Sequence, residues 1–144
     1  MSTVPVDVGD AMPSVTGLDR VKPTILVVDD EESILKPVGR ILAKAGYGVA
    51  TARDAEEALE FLRDSVQPAL FLVDEGLPGM TGSALCETLL SRDPDVRCVL
   101  MSGLDRTDVS VSDDVRAKVH FLAKPWTLDE LIDVVGAALV NDQS

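Results

Sequence analysis

The chain has 144 residues and 46% of them are hydrophobic, enough for one domain with a core of ordinary size. Lys and Arg number 13 against 25 Asp and Glu, a net charge of -12, so contact with nucleic acid or an anionic membrane would work against repulsion, whereas a cation or a basic partner is favoured. Cys86 and Cys98 lie in apolar stretches without CxxC spacing, and neither a leader-like segment nor a membrane-length apolar run occurs, which predicts a reduced, cytoplasmic setting.

Residues 1–22 carry Pro5, Gly9, Pro13 and Gly17 with no helical or strand period, which predicts a flexible extension ahead of a domain over residues 23–141. Thr24 to Val28 reads as a short strand that ends in Asp29-Asp30-Glu31-Glu32. The next apolar residues, Ile34, Leu35, Val38, Ile41, Leu42 and Ala45, fall at helical spacing. Asp30 could serve only as the N-cap and the two glutamates only as dipole partners. Asp29 has no such simple explanation, because a strand-end carboxylate beside another carboxylate costs repulsion unless a cation is bound. Pro37 deletes one backbone hydrogen bond of this helix and predicts a local kink or a late start.

Gly46 is placed to end the helix, Tyr47 to Thr51 reads as a second strand, and Asp54 to Asp64 as a helix with Ala55, Ala58, Leu59 and Leu62 inward. Leu70 to Val73 is an unbroken apolar run that meets Asp74 and a loop containing Gly76, Pro78, Gly79 and Gly82. A strand covered on both faces of a parallel sheet looks like this, and it delivers Asp74 to the rim where ligands of open α/β sheets bind. Thr81 can cap a helix over Gly82 to Ser91. Val96 to Met101 is a further strand, ending in Ser102-Gly103. Leu104 to Lys118 should hold a helix, but Val109, Ser110, Val111 and Ser112 form helices poorly, so a short, displaced or mobile element is predicted there. Val119 to Ala123 is the fifth strand, ending in Lys124-Pro125, and Thr127 to Val140 is the last helix. The sole histidine, His120, reads as a surface or edge-strand residue.

Five rounds of strand then helix predict a doubly wound, five-stranded parallel sheet with helices on both faces. All strands but the second end in groups able to handle a phosphoryl group: Asp29 and Asp30, Asp74, Ser102, and Lys124. In a flavodoxin-like order 2-1-3-4-5, the first and third strands are neighbours about 4.8 Å apart, which would gather the three aspartates. Lys124 would start roughly 9 to 10 Å from Asp74, a gap that an extended lysine closes. An all-carboxylate set suits Mg²⁺, and Asp74 beside it could act as a nucleophile toward a phosphoryl donor, with Lys124 and Ser102 contacting the phosphoryl oxygens.

The chain resembles the response-regulator receiver family, the CheY-like phosphoacceptor modules of two-component signalling. The resemblance is carried by Val27-Val28-Asp29-Asp30-Glu31, Leu72-Val73-Asp74 through Gly82, Val99-Leu100-Met101-Ser102-Gly103 and Phe121-Leu122-Ala123-Lys124-Pro125. It implies phosphorylation of Asp74 from a histidine kinase or histidine phosphotransfer protein. It also implies Mg²⁺ held by Asp29, Asp30, Asp74 and the backbone carbonyl of Gly76, Ser102 as the switching hydroxyl, Lys124 at the phosphoryl group, and a cis Lys124-Pro125 bond.

Phe121 stands at the switch-aromatic position, often Tyr in the family, and Thr81 replaces a frequent Asp. The stretch Asp108 to Ser112 falls in the fourth helix, part of the α4-β5-α5 face on which a downstream partner is expected. The chain would act as a phosphoacceptor switch rather than an enzyme, as a single-domain regulator, a relay intermediate or the receiver of a longer protein. A receiver-like binding module that ignores phosphate is the alternative. A phosphatase is disfavoured because Gly76, not a second Asp, follows Asp74 by two residues, and a flavin carrier because no Ser/Thr-rich loop follows the first strand.

Overall fold

A computed structural model describes residues 22–64, 67–103 and 112–140, the side chain of Asp114 excepted. Its elements in chain order are β1 (Thr24–Val28), α1 (Glu32–Lys44), β2 (Gly48–Ala52), α2 (Ala55–Asp64) and β3 (Leu70–Asp74). They continue with α3 (Gly82–Arg92), β4 (Cys98–Ser102), α4 (Asp113–Lys118), β5 (His120–Ala123) and α5 (Leu128–Val140). The extension expected at residues 1–22, apart from Lys22, and the Leu104 to Val111 part of the fourth helical segment lie outside the described residues.

All four strand pairings are parallel, as the strand-helix alternation predicts, and the order is β2-β1-β3-β4-β5, the flavodoxin-like order. Every residue of β3 and β4 is buried, the consequence of covering both faces of the central strands. Alternate residues feed two cores. Leu26, Val28, Phe71, Val73 and Leu100 pack with Ala55, Ala58, Leu85 and Leu89 of α2 and α3. Ile25, Val27, Leu72, Val99 and Met101 pack with Leu35, Val38, Leu42, Leu131 and Val135 of α1 and α5. Cys86 and Cys98 are buried free thiols on the first of these sides, and a hydrogen bond to Cys98 together with burial pushes the Cys86 thiol well above its usual range, which keeps it an inert core group.

Several boundaries move. The first helix begins at Glu32 and runs through Pro37, so the late start does not occur. One missing N–H costs the helix a single bond, and the burial of Leu35, Val38 and Leu42 outweighs it. The helix closes on Gly46 at φ 102°, whose N–H donates to Ala43 O while Tyr47 N–H donates to Leu42 O, each at 3.1 Å. β4 starts at Cys98 rather than Val96, because Val96 N–H is spent on a turn with Asp93 O, and it extends to include Ser102. Trp126 is half-buried against the α1 and α5 core, and His120 is half-buried on edge strand β5.

Candidate acidic phosphoryl site

The rim of the sheet is built strand by strand. β1 ends immediately before Asp29, which is fully buried, while Asp30 next to it is exposed. The backbone N–H of Asp29 donates to Ala52 O of β2 at 3.1 Å, and its Oδ1 accepts from Glu31 N–H at 3.0 Å, so the side chain turns inward while the chain enters α1. Glu31, not Asp30, takes the N-cap position of α1, and it does so without a side-chain cap bond. Asp30 is thereby left over for another task. Register pairs Val28 with Val73, so β1 and β3 finish level and bring Asp29 against Asp74.

Asp29, Asp30 and Asp74 each offer one carboxylate oxygen, and these atoms all lie within 4.8 Å of one another. The Oδ2 of Asp29 is buried and has no hydrogen-bond partner among the described residues. Burial, followed by the charge of Asp74, pushes the Asp29 carboxyl up to about 6, against a hydrogen bond from the Glu31 backbone that pulls it down. An orphaned buried oxygen in an all-oxygen acidic nest fits a hard divalent cation.

Lys124 completes the far side. Its N–H donates to Ser102 O at 2.9 Å, which fixes the end of β5 against β4, and its Nζ donates to Asp74 Oδ1 at 2.5 Å. Burial alone would lower the ammonium's pKa, but the hydrogen bond and charge of Asp74, then the charges of Asp29 and Glu31, outweigh it and raise the value. The other Asp74 oxygen accepts from Gly76 N–H at 3.2 Å. Beside them opens a cavity of about 220 Å³ lined by Asp74, Glu75, Gly76, Ser102, Gly103 and Lys124. The Lys124-Pro125 bond is cis, and Thr127 and Glu130 then cap α5 reciprocally, with Thr127 N–H donating to Glu130 Oε1 and Glu130 N–H to Thr127 Oγ1 at 2.9 and 3.1 Å.

Six of the seven residues singled out from the sequence converge on this rim. The seventh, Phe121, sits one layer below on β5, half-buried, with the Arg116 guanidinium of α4 5.8 Å from its ring centroid. His120 takes no part in lining the cavity. Two further residues build the site. Glu75 lines the cavity while its carboxylate accepts from both N–H and Oγ of Ser83, at 2.7 and 3.0 Å. Gly82 is required by a close approach, since a Cβ there would sit 2.2 Å from Asp74 O. The signal for the last was present in the glycine itself. The Glu75 contact spans eight residues around a loop and leaves no periodic trace.

The family described as the response regulator receiver domain matches residues 25–136. The chain belongs to the response regulator receiver family. It is 34% identical over 119 residues to the DNA-binding transcriptional regulator NtrC of Escherichia coli, covering 83% of this chain and 25% of that protein. It is 32% identical over 117 residues to the transcriptional regulatory protein PrrA of Mycobacterium tuberculosis, covering 81% and 50%. The receiver thus spans between a quarter and a half of these larger regulators. A CheY-like receiver domain protein from Methanospirillum hungatei shares the fold with a TM-score of 0.75 and 28% identity, over 85% of this chain and 97% of that one. NtrX from Brucella abortus aligns with a TM-score of 0.75 and 33% identity, over 85% and 28%. Among the described residues no helix is long and apolar enough to cross a membrane.

Proposed function

We propose that this receiver accepts a phosphoryl group on Asp74 from a phosphohistidine of a histidine kinase or histidine phosphotransfer protein, in a reaction that requires Mg²⁺. The observation that carries the reading is the pairing of opposites around one carboxylate: buried Asp29 with an orphaned oxygen on one side of Asp74, and the Lys124 ammonium on the other. Asp29, Asp30 and Asp74 would hold the ion, with the Gly76 carbonyl as a further ligand. Bound there, Mg²⁺ supplies charge stabilisation for the carboxylates and the phosphoryl oxygens.

The chain's own residues do the rest. An Asp74 oxygen attacks phosphorus, the phosphorus–nitrogen bond to the donor histidine breaks, and that imidazole leaves with the electron pair and takes up a proton. Lys124 leaves its pairing with the free carboxylate to contact an equatorial phosphoryl oxygen, and Ser102, 6% exposed on the cavity wall, donates a hydrogen bond to another. The added charge at Asp74 draws Ser102 inward and frees space into which Phe121 turns, altering the α4-β5-α5 face that a downstream protein reads. The receiver proper covers residues 23–141, acts in the cytoplasm, and catalyses only its own phosphorylation and dephosphorylation.

Incubation with a small-molecule acyl phosphate and Mg²⁺ should add one phosphoryl group to the wild-type chain and none to Asp74→Asn, read by intact mass. Label on the variant, or equal labelling of the wild type in a chelator, would overturn this assignment.

A further inference from the structure

Glu75 is anchored three ways at the root of the loop that surrounds Asp74. Its N–H donates to Met101 O of β4 at 2.8 Å, and its own carbonyl accepts from Gly82 N–H at 3.0 Å. Its carboxylate grips Ser83, one oxygen on the backbone N–H and the other on the hydroxyl. Ser83 is 2% exposed, and its Oγ also lies 3.2 Å from Thr81 Oγ1, which caps α3 by accepting from Ala84 N–H at 3.2 Å. Residues 76–81 are therefore a loop closed at its base by Glu75 on one side and the first turn of α3 on the other.

This grip costs something, which is why it calls for a purpose. Glu75 lines the cavity next to Asp74, and its carboxylate brings a further negative charge to an acidic rim. Two donors from Ser83 fix its direction, and the helix N-terminus offsets its charge. The loop it closes carries Gly76, whose N–H holds Asp74 Oδ2, and the close seating of Gly82 on the Asp74 carbonyl leaves that base little freedom to drift while the grip is made.

We propose that Glu75 is a positioning residue: by clasping Ser83 it closes the 76–81 loop and sets the Gly76 backbone against Asp74. This deepens the phosphoacceptor reading and rests on it for the role of the ion, while the closed loop is a property of the chain alone. Residues that orient a ligand-bearing group rather than touch the ion commonly change affinity roughly 10- to 100-fold when removed.

The test compares wild type, Glu75→Ala, Glu75→Gln and Ser83→Ala in the full chain. Glutamine can keep the clasp without the charge, its carbonyl accepting from Ser83 N–H and its amide donating to Ser83 Oγ. Two quantities are read: amide hydrogen exchange at Gly76 to Thr81 without metal, and the Mg²⁺ dissociation constant by calorimetry. The clasp predicts at least tenfold faster loop exchange and roughly tenfold weaker Mg²⁺ binding in Glu75→Ala, a smaller change of the same sign in Ser83→Ala, and near wild-type behaviour in Glu75→Gln. Exchange of the β1 and β3 amides should stay unchanged, which separates a loosened loop from a loosened fold. If Glu75→Gln behaves like Glu75→Ala, charge rather than positioning is at work and the proposal fails. It fails equally if Glu75→Ala exchanges like wild type. Absence of Mg²⁺ binding in the wild type itself, with the loop exchange responding as described, would instead refute the phosphoacceptor reading and leave the clasp standing.

Discussion

The body of the sheet and its carboxyl-end rim obey opposite rules. In the body, the neighbouring strands β1, β3 and β4 bury Val27, Leu72 and Val99 completely, and the ladder satisfies the backbone. Two residues further along the same strands, Asp29 and Asp74 face each other almost without solvent, and one oxygen of Asp29 has no partner among the described residues. The lesson is a division of labour along each strand. The body supplies the stability that lets the rim hold like charges together, and the rim gives some of it up to remain ready for a cation and a phosphoryl group.

Leu72→Ala should show the larger effect on the fold. Leu72 is fully buried among residues of α1 and α5, so truncation should cost about 2–5 kcal/mol in denaturant unfolding. A loss under 1 kcal/mol would mean that the body is looser than its burial indicates. Lys124→Met should change stability less and function more. Mg²⁺ affinity should stay within a few-fold of wild type, measured by calorimetry, while the phosphorylation-dependent shift of Phe121 and Ser102 resonances disappears. If this variant lost as much Mg²⁺ affinity as Asp29→Asn does, Lys124 would be serving the metal nest rather than the phosphoryl group.

Sequence reading reached the body and the rim for different reasons. Continuous apolar runs such as Leu70 to Val73 are satisfied by a strand covered on both faces, so β1, β3 and β4 were legible from their apolar pattern, while their order came from the flavodoxin-like arrangement that a doubly wound sheet adopts. The convergence of Asp29, Asp30, Asp74, Ser102 and Lys124 followed from strand order plus the reach of a lysine. What failed was local. Neither the start of α1 at Glu32, ahead of Pro37, nor the start of β4 at Cys98 is set by residue type, since tertiary burial decides the first and a turn at Asp93 the second. The clasp between Glu75 and Ser83 was invisible because it joins two loop-flanking residues that only the finished fold brings together.

The claim that the rim is held together against its own charge is tested most directly by the unfolding free energy of wild type and Asp29→Asn, measured from pH 4 to 7.5 with and without Mg²⁺. Asp29 titrates at about 6 in the folded protein against 3.8 for an unperturbed carboxyl, so the fold binds its proton more tightly than the unfolded chain does. The stability it contributes is present below about pH 4 and is lost as the pH rises through 6, a change of about 3 kcal/mol. Without metal, the wild type should therefore fall behind Asp29→Asn across that window by up to about 3 kcal/mol, and Mg²⁺ at neutral pH should restore the wild type while leaving the variant nearly unmoved. A difference between the two that is flat with pH, or a wild type indifferent to Mg²⁺, would contradict the account.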